Sequence, residues 1–223
     1  MATTIEPGVA DILIRSRNTV LDILEERGYN VSVYRSIASD QILTLAAGNS
    51  RALDVVVPKR EGSTAPCERA YVVYQIQDRI RNRLATWLRD LYEVAVDPAG
   101  ENIVQQSDDV IVLLNEPAEH DAFTKAALQL WQKSKARIAF FHIKQVVVHP
   151  GRHVLVPPHR KLRTEEAEAE MRRWHLTVKS QLPLIKHSDI QARVLGLVPG
   201  DMVEVLRPSP TAGVSRVLRI CAA

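Results

Sequence analysis

The chain has 223 residues, 46% of them hydrophobic and 25% charged, with a formal net charge of +3 at pH 7. This length and composition favour a globular protein with one large or two modest domains, each built around a hydrophobic core. The sequence has no apolar run near the roughly 18 residues that a membrane span requires, and no basic and then apolar leader, so we expect a soluble intracellular protein without a membrane partner.

Charge is distributed unevenly along the sequence. Residues 151–223 hold 12 Lys and Arg against 7 Asp and Glu, whereas the first 150 residues hold 17 against 19. The basic C-terminal part permits contact with nucleic acid or with an acidic protein, but it is far weaker than a dedicated DNA-binding tail. Cys67 and Cys221 show no motif spacing, which suits a reducing compartment and leaves one disulfide between them open.

The first residues of the chain have the pattern of an amphipathic helix. Apolar residues at 3.6-residue spacing predict a helix over 9–27 that ends at Gly28. Its buried face would comprise Val9, Ile12, Leu13, Val20, Ile23 and Leu24. A short strand over 31–34 and a second helix, capped by Ser36 and extending to about Ala46, would follow.

The next segment combines short strands with a well-patterned helix. Apolar, β-branched runs predict a strand over 53–57, ended by Pro58, and another over 70–76 after a polar loop. A helix is predicted over 78–95, followed by a turn over 97–100. The apolar stripe of this helix would comprise Ile80, Leu84, Trp87, Leu88, Leu91 and Ala95. Off that stripe lie the arginines Arg79, Arg81, Arg83 and Arg89.

Strands and helices continue to alternate up to residue 148. A strand is predicted over 110–114 and a helix from Pro117 to about Lys133, whereas 138–148 is compatible with either structure. This alternation favours an α/β domain whose mixed, largely buried sheet has helices on its faces.

The second part of the chain begins at a helix stop followed by a turn pair, His149-Pro150-Gly151. Residues 155–158 should be extended, because a residue before proline avoids the α region. Thr164 should cap a helix with glutamates in its first turn and arginines in its last, an arrangement that complements the helix dipole. The buried stripe of this helix would comprise Ala167, Met171 and Trp174.

The last third should form a compact α+β module. Ser188 and Gln191 have the spacing of a capping box, and the short helix after them would end at Gly196. Pro199-Gly200 is a turn pair that leads into a strand over 202–206. Pro208 and Pro210 should prevent that strand from continuing in a paired ladder, and a final strand over 214–220 would pair back onto it.

Two metal-site hypotheses find little support in the residues. His149, His153 and His159 cluster in sequence, but no CxxC or HExxH accompanies them, so surface histidines bonded to the backbone are the simpler interpretation. Asp54 precedes a strand in the manner of a restriction-type nuclease. The later strand has neither the second carboxylate nor the lysine that this chemistry requires, so a solvated or capping Asp54 is expected.

Other chemical motifs are missing from the sequence, which has no glycine-rich phosphate loop and no nucleophile elbow. The four arginines near residue 80 are typical of a solvated helix face, and they would attract DNA only if that face pointed into a nucleic-acid channel. The three tryptophans, Trp87, Trp131 and Trp174, are predicted to be core residues.

Residues 181–213 strongly resemble the assembly domain of the small RNA polymerase subunit shared by the three eukaryotic nuclear polymerases, a family that also has an archaeal counterpart. The matching residues are Leu182, Pro183, Ile185, Asp189, Ala192, Arg193, Leu195, Gly196, Leu197, Gly200, Val203, Val205, Arg207, Pro208, Ser209, Thr211, Ala212 and Gly213. Upstream matches are His153, Leu155, Val156, Pro157 and His159, followed by Thr164, Glu165 and Glu166. Residues 17–20 and 26–29 match more loosely.

This resemblance implies a scaffold with two domains, an α/β jaw domain over 1–148 and a small α+β assembly domain over 149–223. The assembly domain would dock on the largest polymerase subunit, with other polymerase subunits nearby. The implied partner interface is Pro183, Gly196, Gly200, Arg207, Pro208, Ser209, Thr211, Ala212 and Gly213. The jaw domain would lie beside downstream duplex DNA and contact its backbone without reading sequence. Candidate residues for that contact are Arg79, Arg81, Arg83 and Arg89. The resemblance implies no cofactor and no catalytic residue.

Two other classes of function stay open. A free DNA-binding transcription regulator would show salt-sensitive DNA affinity, which a net charge of +3 makes weak. A metal-dependent nuclease would need Asp54 for cleavage. The source also stays open, since a cellular polymerase would place the chain in the nucleus, and one encoded by a large DNA virus would place it in the virion or host cell.

Overall fold

The computed structural model of the chain describes residues 7–48, 50–95 and 102–223. The chain divides into an N-terminal unit that ends at His149 and a C-terminal unit that begins at Pro150. The turn predicted over 97–100 lies outside the described residues. Among the helices of the described ranges, none is both long enough and apolar enough to cross a membrane.

The described part of the N-terminal unit alternates helices and strands. Its helical segments are α1 (Pro7–Glu26), α2 (Ser32–Arg35), α3 (Ser39–Gly48), α4 (Leu84–Arg89), a π-helical turn (Asp90–Val94), α5 (Asp121–Ser134) and 3-10 turns (Ser50–Leu53, Arg81–Arg83, Ile143–Val146). Its strands are β1 (Val55–Pro58), β2 (Arg69–Gln75), β3 (Asp109–Leu114) and β4 (Arg137–His142). They form a mixed sheet in the order β1-β2-β3-β4, antiparallel between β1 and β2 and parallel elsewhere. The predicted mixed sheet with helices is therefore confirmed.

Strand β3 lies at the centre of this unit. All of its residues are buried, because it pairs with β2 on one side and β4 on the other. The rings of Phe123 on α5 and Phe140 on β4 have centroids 5.0 Å apart, so α5 packs onto the sheet. A continuous apolar run such as 110–114 is what a parallel strand covered on both faces requires.

Helix α1 confirms the predicted apolar face from its second turn onward. Leu13, Val20 and Ile23 are buried, but Val9 is 51% exposed, so the buried face begins later than predicted. Gly28 ends the helix with a φ of 98°, a conformation that favours glycine. Its N–H donates to the Glu25 carbonyl at 3.0 Å.

The segment after α1 is helical where a strand was predicted. The Asn30 side chain accepts hydrogen bonds from the N–H and hydroxyl of Ser32 at 3.2 and 2.8 Å, which favours a turn and the short helix α2 over a strand. The prediction that Ser36 caps the next helix is also wrong. Its hydroxyl donates to the Val33 carbonyl at 2.7 Å, and α3 starts at Ser39.

Two predicted helices begin later in the chain than expected. The helix predicted over 78–95 becomes helical only at Arg81, because the buried Glu116 carboxylate accepts the N–H groups of Ile80 and Arg81 at 2.7 and 3.1 Å. The helix predicted from Pro117 begins at Asp121, where the His120 side chain accepts the N–H of Ala122. The ambiguous stretch 138–148 forms the rest of β4 and then a 3-10 turn.

The described C-terminal unit is a small α+β arrangement. Its helical segments are α6 (Thr164–Arg173), α7 (Ile190–Val194) and 3-10 turns (Pro150–Arg152, Lys179–Gln181). Its strands are β5 (His159–Lys161), β6 (Leu184–Lys186), β7 (Met202–Ser209) and β8 (Gly213–Ala222). The sheet order is β5-β7-β8-β6, parallel between β6 and β8 and antiparallel elsewhere. The short edge strands β5 and β6 were not predicted.

Strand β7 continues through Pro208, contrary to the prediction. Pro208 pairs with Val214, and Ser209 pairs with Gly213. The N–H of Leu206 points away from β8, since it donates to the Pro158 carbonyl at 3.1 Å. Because Pro208 has the same parity as Leu206, its nitrogen also faces away from β8, and the missing N–H removes no bond between β7 and β8.

The helix caps of this unit differ from those predicted. Asp189, and not Ser188, caps α7, and its carboxylate accepts the N–H of Gln191 at 2.8 Å. Arg163, and not Thr164, is the cap residue of α6, where the Glu166 carboxylate accepts the Arg163 N–H at 2.9 Å. In both cases a carboxylate satisfies N–H groups at the helix start.

Several predicted burial and turn assignments also need correction. Leu155 is 82% exposed and lies in a turn closed by the Val156 N–H and the His153 carbonyl at 2.8 Å, so it is not extended. Trp174 is 58% exposed, because its indole N–H donates to Glu170 at 3.0 Å on the open side of α6. Trp87 and Trp131 are half-buried instead of forming the core.

Candidate interaction surfaces

Six of the predicted interface residues form one end of the β7–β8 hairpin, here called the hairpin tip (residues 207–213). Arg207, Pro208 and Ser209 end β7, Thr211 and Ala212 lie in the turn, and Gly213 starts β8. The Ser209 hydroxyl accepts the Ala212 N–H at 3.3 Å, and Gly213 has a φ of 69°. The turn is therefore ordered by its own hydrogen bonds and by a glycine conformation.

The hairpin tip is open to solvent. Its residues are exposed or half-buried, and Leu206 and Val214 beside it are 38% and 63% exposed. Among the described residues, none forms an ion pair with the exposed Arg207. A preorganised loop of this kind, with apolar and cationic groups side by side, loses little entropy when it docks on a partner.

The other three predicted interface residues lie at the opposite end of the same sheet. The Pro183 carbonyl accepts the Ile220 N–H at 2.9 Å, and the Gly200 N–H donates to the Cys221 carbonyl at 2.9 Å. Gly196 and Gly200 have φ values of 61° and 95°, so they set turns, as predicted from the pattern. The eight residues of β7 separate the two groups by about 20 Å.

A charged network that the sequence analysis did not identify holds α6 against the sheet. Glu204 on β7 binds Arg160 on β5 at 2.9 Å and also binds Arg216 on β8. Arg216 in turn reaches Glu170 on α6 at 2.9 Å. No spacing rule identifies such a set, because its members come from four elements that meet only in the folded unit.

The network lowers the pKa of its carboxyl groups. The Arg216 guanidinium, followed by Arg160, lowers the pKa of Glu204. Burial acts to raise the pKa of Glu170, and hydrogen bonds from Arg216 and Trp174 outweigh it, so this pKa is also lowered. The backbone N–H of Arg163, then its side chain and that of Arg160, lower the pKa of Glu166 to about 2.

We expect the stability of the C-terminal unit to fall as the pH drops from about 4.5 to about 2. A carboxyl group whose pKa is lower in the folded chain adds stability above its unfolded pKa and loses it on protonation. In Glu166→Gln the urea midpoint should fall less between these pH values than in the wild type. The Trp174 indole N–H resonance reports the unit, and an equal fall in both proteins would contradict the assignment.

The four arginines near residue 80 are all exposed. Arg83 contacts Asp78 at 3.2 Å and Arg89 contacts Asp90 at 3.3 Å, in exposed pairs that hold the guanidinium groups only weakly. Glu116 fixes the backbone of this segment through the N–H groups of Ile80 and Arg81. The segment therefore presents cations from an anchored backbone, and Glu116 is a positioning residue that the sequence analysis missed.

The prediction that Asp54 is solvated or caps a helix is wrong. Its side chain is 8% exposed and contacts Arg51 at 2.6 Å, and it accepts the Tyr74 N–H at 2.8 Å. Burial raises the pKa of Asp54 even though Arg51 and Tyr74 act to lower it. Its oxygens are engaged within the fold, and no group of three or more potential metal ligands occurs in the described ranges.

The three histidines of the predicted cluster have separate contacts. His149 is buried and lies 3.2 Å from the Glu26 carboxylate. His153 accepts the Leu155 N–H at 3.2 Å, and the ring of His159 lies 2.6 Å from the Pro157 carbonyl oxygen. The last two contacts match the interpretation of histidines bonded to the backbone.

Comparison with known proteins connects these surfaces to a protein class. Residues 148–221 match the family model described as RNA polymerase Rpb5, C-terminal domain. Over 69 residues the chain is 48% identical to DNA-directed RNA polymerase subunit Rpo5 of Pyrococcus abyssi, which covers 31% of this chain and 83% of that protein. The corresponding protein of Thermococcus kodakarensis is 51% identical over 61 residues, 27% of this chain and 73% of that protein.

A eukaryotic relative aligns with nearly the whole chain. DNA-directed RNA polymerases I, II, and III subunit rpabc1 of Dictyostelium discoideum is 27% identical over 216 residues, which cover 94% of this chain and 96% of that protein. The match to the archaeal proteins is confined to the part that contains the hairpin tip, and the eukaryotic match includes the N-terminal unit as well. The chain therefore belongs to the Rpb5 family, the shared fifth subunit of DNA-directed RNA polymerases.

Proposed function

We propose that this chain is a structural subunit of a multisubunit DNA-directed RNA polymerase and docks on the largest subunit through the hairpin tip. The single observation that best supports docking at this place is the exposed, internally hydrogen-bonded tip, with Arg207 unpaired among the described residues. A rigid loop with a cation and adjacent apolar side chains fits a pocket on a large protein partner. Gly196 and Gly200 would act by shaping the other end of the sheet.

The N-terminal unit would act as the jaw, over about residues 1–148, and lie beside downstream duplex DNA. Support comes from Arg79, Arg81, Arg83 and Arg89, which are exposed on a segment anchored by Glu116. Contacts of this kind go to phosphates and carry no sequence information. The chain would contribute no catalytic group and bind no cofactor of its own. In a eukaryotic cell it would act in the nucleus, and if encoded by a large DNA virus it would act in the virion or the host cell.

The test is affinity purification of the tagged full chain from its native source, with quantification of the two largest polymerase subunits. Arg207→Glu and Gly213→Trp should lower their recovery about tenfold or more, because a reversed charge or a bulky side chain would oppose docking. A Cβ at position 213 meets nothing within 4 Å, so the new side chain would project outward. Arg172→Glu, a charge reversal at an exposed position of α6, should leave recovery unchanged.

The same purification separates the two parts of the proposal. An Arg79→Glu and Arg83→Glu double variant should keep the large subunits, while the salt dependence of DNA binding by the purified polymerase decreases by about two charges. Equal recovery with all variants would move the interface away from the hairpin tip. A chain that purifies alone would contradict the structural role and favour a free DNA-binding regulator.

A further inference from the structure

A groove runs between two helical segments of the N-terminal unit. One wall is α4 with the π-helical turn after it, the other is α5, and the space between them has a volume of about 370 Å³. Its apolar lining comprises Leu84, Leu88, Tyr92, Ala122, Ala126 and Leu130. Several of these residues belong to or pack against the core cluster of the unit, so the groove opens directly onto the hydrophobic core.

The groove exists because small side chains face each other across it. Ala85 on α4 and Ala122 and Ala126 on α5 lie where larger residues would close the gap. Protein interiors are close-packed and leave few spaces larger than a water molecule, so an unfilled space of this size over apolar side chains is unusual. It has the dimensions of a binding site, since ligand pockets span about 300–1,000 Å³.

Cations line the rims of the groove. Arg89, Lys125 and Lys133 contribute three positive charges to its lining, and Glu93 contributes one negative charge. Among the described residues, no carboxylate forms an ion pair with Lys125 or Lys133. An occupant should therefore carry carboxylates at its edges and apolar groups at its centre.

We propose that this groove, lined by Leu84, Leu88, Ala122, Ala126 and Leu130 and edged by Arg89, Lys125 and Lys133, binds an acidic amphipathic helix of a protein partner. An amphipathic helix places apolar anchors at i, i+3, i+4 and i+7 along one face, and its glutamates on either side would meet the lysines. The volume accommodates the side chains of one or two helical turns while the peptide backbone stays above the rims.

Duplex DNA is the competing occupant, and the apolar lining argues against it. Phosphates are bound by cations at the protein surface and gain nothing from an apolar groove that opens onto the core. Of the four arginines assigned to DNA contact, Arg89 alone lines the groove. The groove and the hairpin tip belong to different units, so their tests fail separately, and this inference goes beyond the proposed docking role.

The test uses the full chain and a labelled helical peptide of about 16 residues, with leucines at the i, i+3, i+4 and i+7 positions and glutamates elsewhere. Binding is measured by fluorescence anisotropy. Ala85→Trp should weaken binding about tenfold or more, because it fills the groove from an exposed position. Thr86→Trp is the matched control, since Thr86 is exposed on the same helix and does not line the groove. It should change affinity less than about twofold.

Charge is tested by a Lys125→Glu and Lys133→Glu double variant, which should weaken the acidic peptide about tenfold or more. A peptide with lysine in place of every glutamate should bind the wild type at least about tenfold more weakly than the acidic peptide. Equal binding of the two peptides, or equal effects of Ala85→Trp and Thr86→Trp, would overturn the proposal. Duplex DNA whose binding is lost in the charge variant, with no acidic-peptide binding, would assign the cations to nucleic acid.

Discussion

Replacing Arg27 with Met should lower the free energy of unfolding of the N-terminal unit by about 3–5 kcal/mol. The Arg27 guanidinium lies 2.9 Å from the Asp109 carboxylate, and the two side chains are only 4% and 3% exposed. Tyr29 also donates to Asp109 at 3.2 Å, but a phenol supplies no compensating charge. The variant therefore leaves a carboxylate buried without the charge that offsets its loss of hydration.

The measurement is urea unfolding followed by tryptophan fluorescence, since Trp87 and Trp131 both belong to the N-terminal unit. The matched control is Arg15→Met, which breaks an ion pair with Asp11 whose side chains are 50% and 62% exposed, and which should cost less than about 0.5 kcal/mol. A loss in Arg27→Met no larger than in this control would show that water compensates the carboxylate. The Arg27→Met and Asp109→Leu double variant should be more stable than Arg27→Met alone.

A second large loss, about 3 kcal/mol, is expected for Gly28→Ala. The φ of 98° at Gly28 costs an L-residue about 1–2 kcal/mol. A Cβ at this position would also overlap the Ser63 hydroxyl oxygen and lie 3.1 Å from the Ser63 Cβ. The hydroxyl has little freedom to move away, because it accepts the Ala65 N–H at 3.0 Å. Overpacking of this kind adds about 1–3 kcal/mol.

Gly62→Ala provides the matched comparison for this effect. Gly62 also has a positive φ, 71°, but a Cβ there meets nothing within 4 Å. It should lose only the backbone contribution of about 1–2 kcal/mol, measured by the same urea unfolding. Adding Ser63→Gly to Gly28→Ala should recover the steric part of the loss. If the two alanine variants are equally destabilised, the contact with Ser63 contributes nothing.

Much of the N-terminal fold could be predicted because its signals are local. The apolar spacing of 9–27 and the β-branched run of 110–114 each contain enough information to define α1 and β3. The starts of other helices depend on distant groups. Glu116 binds the N–H groups of Ile80 and Arg81 across more than 30 positions of the chain, and no local pattern around residue 80 reveals that contact.

The C-terminal unit shows the same limit for short strands. Strands β5 and β6 each have three residues, too few for an alternation pattern, and their pairing with β7 and β8 creates them. The effect of Pro208 could not be predicted either, because it depends on which side of β7 the missing N–H faces. That side is known only once the register with Val214 is known.

The candidate surfaces differ in how well the sequence revealed them. The hairpin tip is contiguous in sequence, so a motif identified its six residues together. The groove could not be found in this way, because Ala85 and Ala126 approach each other only when α4 and α5 pack on the same sheet. Its cations also looked like ordinary solvated lysines and arginines, since a linear pattern does not show the apolar space between them.

The burial of the two cysteines has a consequence for the chemistry of the whole chain. Burial raises the pKa of the Cys67 thiol to about 11 and that of Cys221 to about 12, with nearby carboxylates acting in the same direction. The thiolate is the form that reacts with oxidants and alkylating reagents, and at neutral pH it is a very small fraction of either residue. The native chain therefore offers little background reactivity, and a cysteine introduced at an exposed position such as Ala85 would carry a label almost alone.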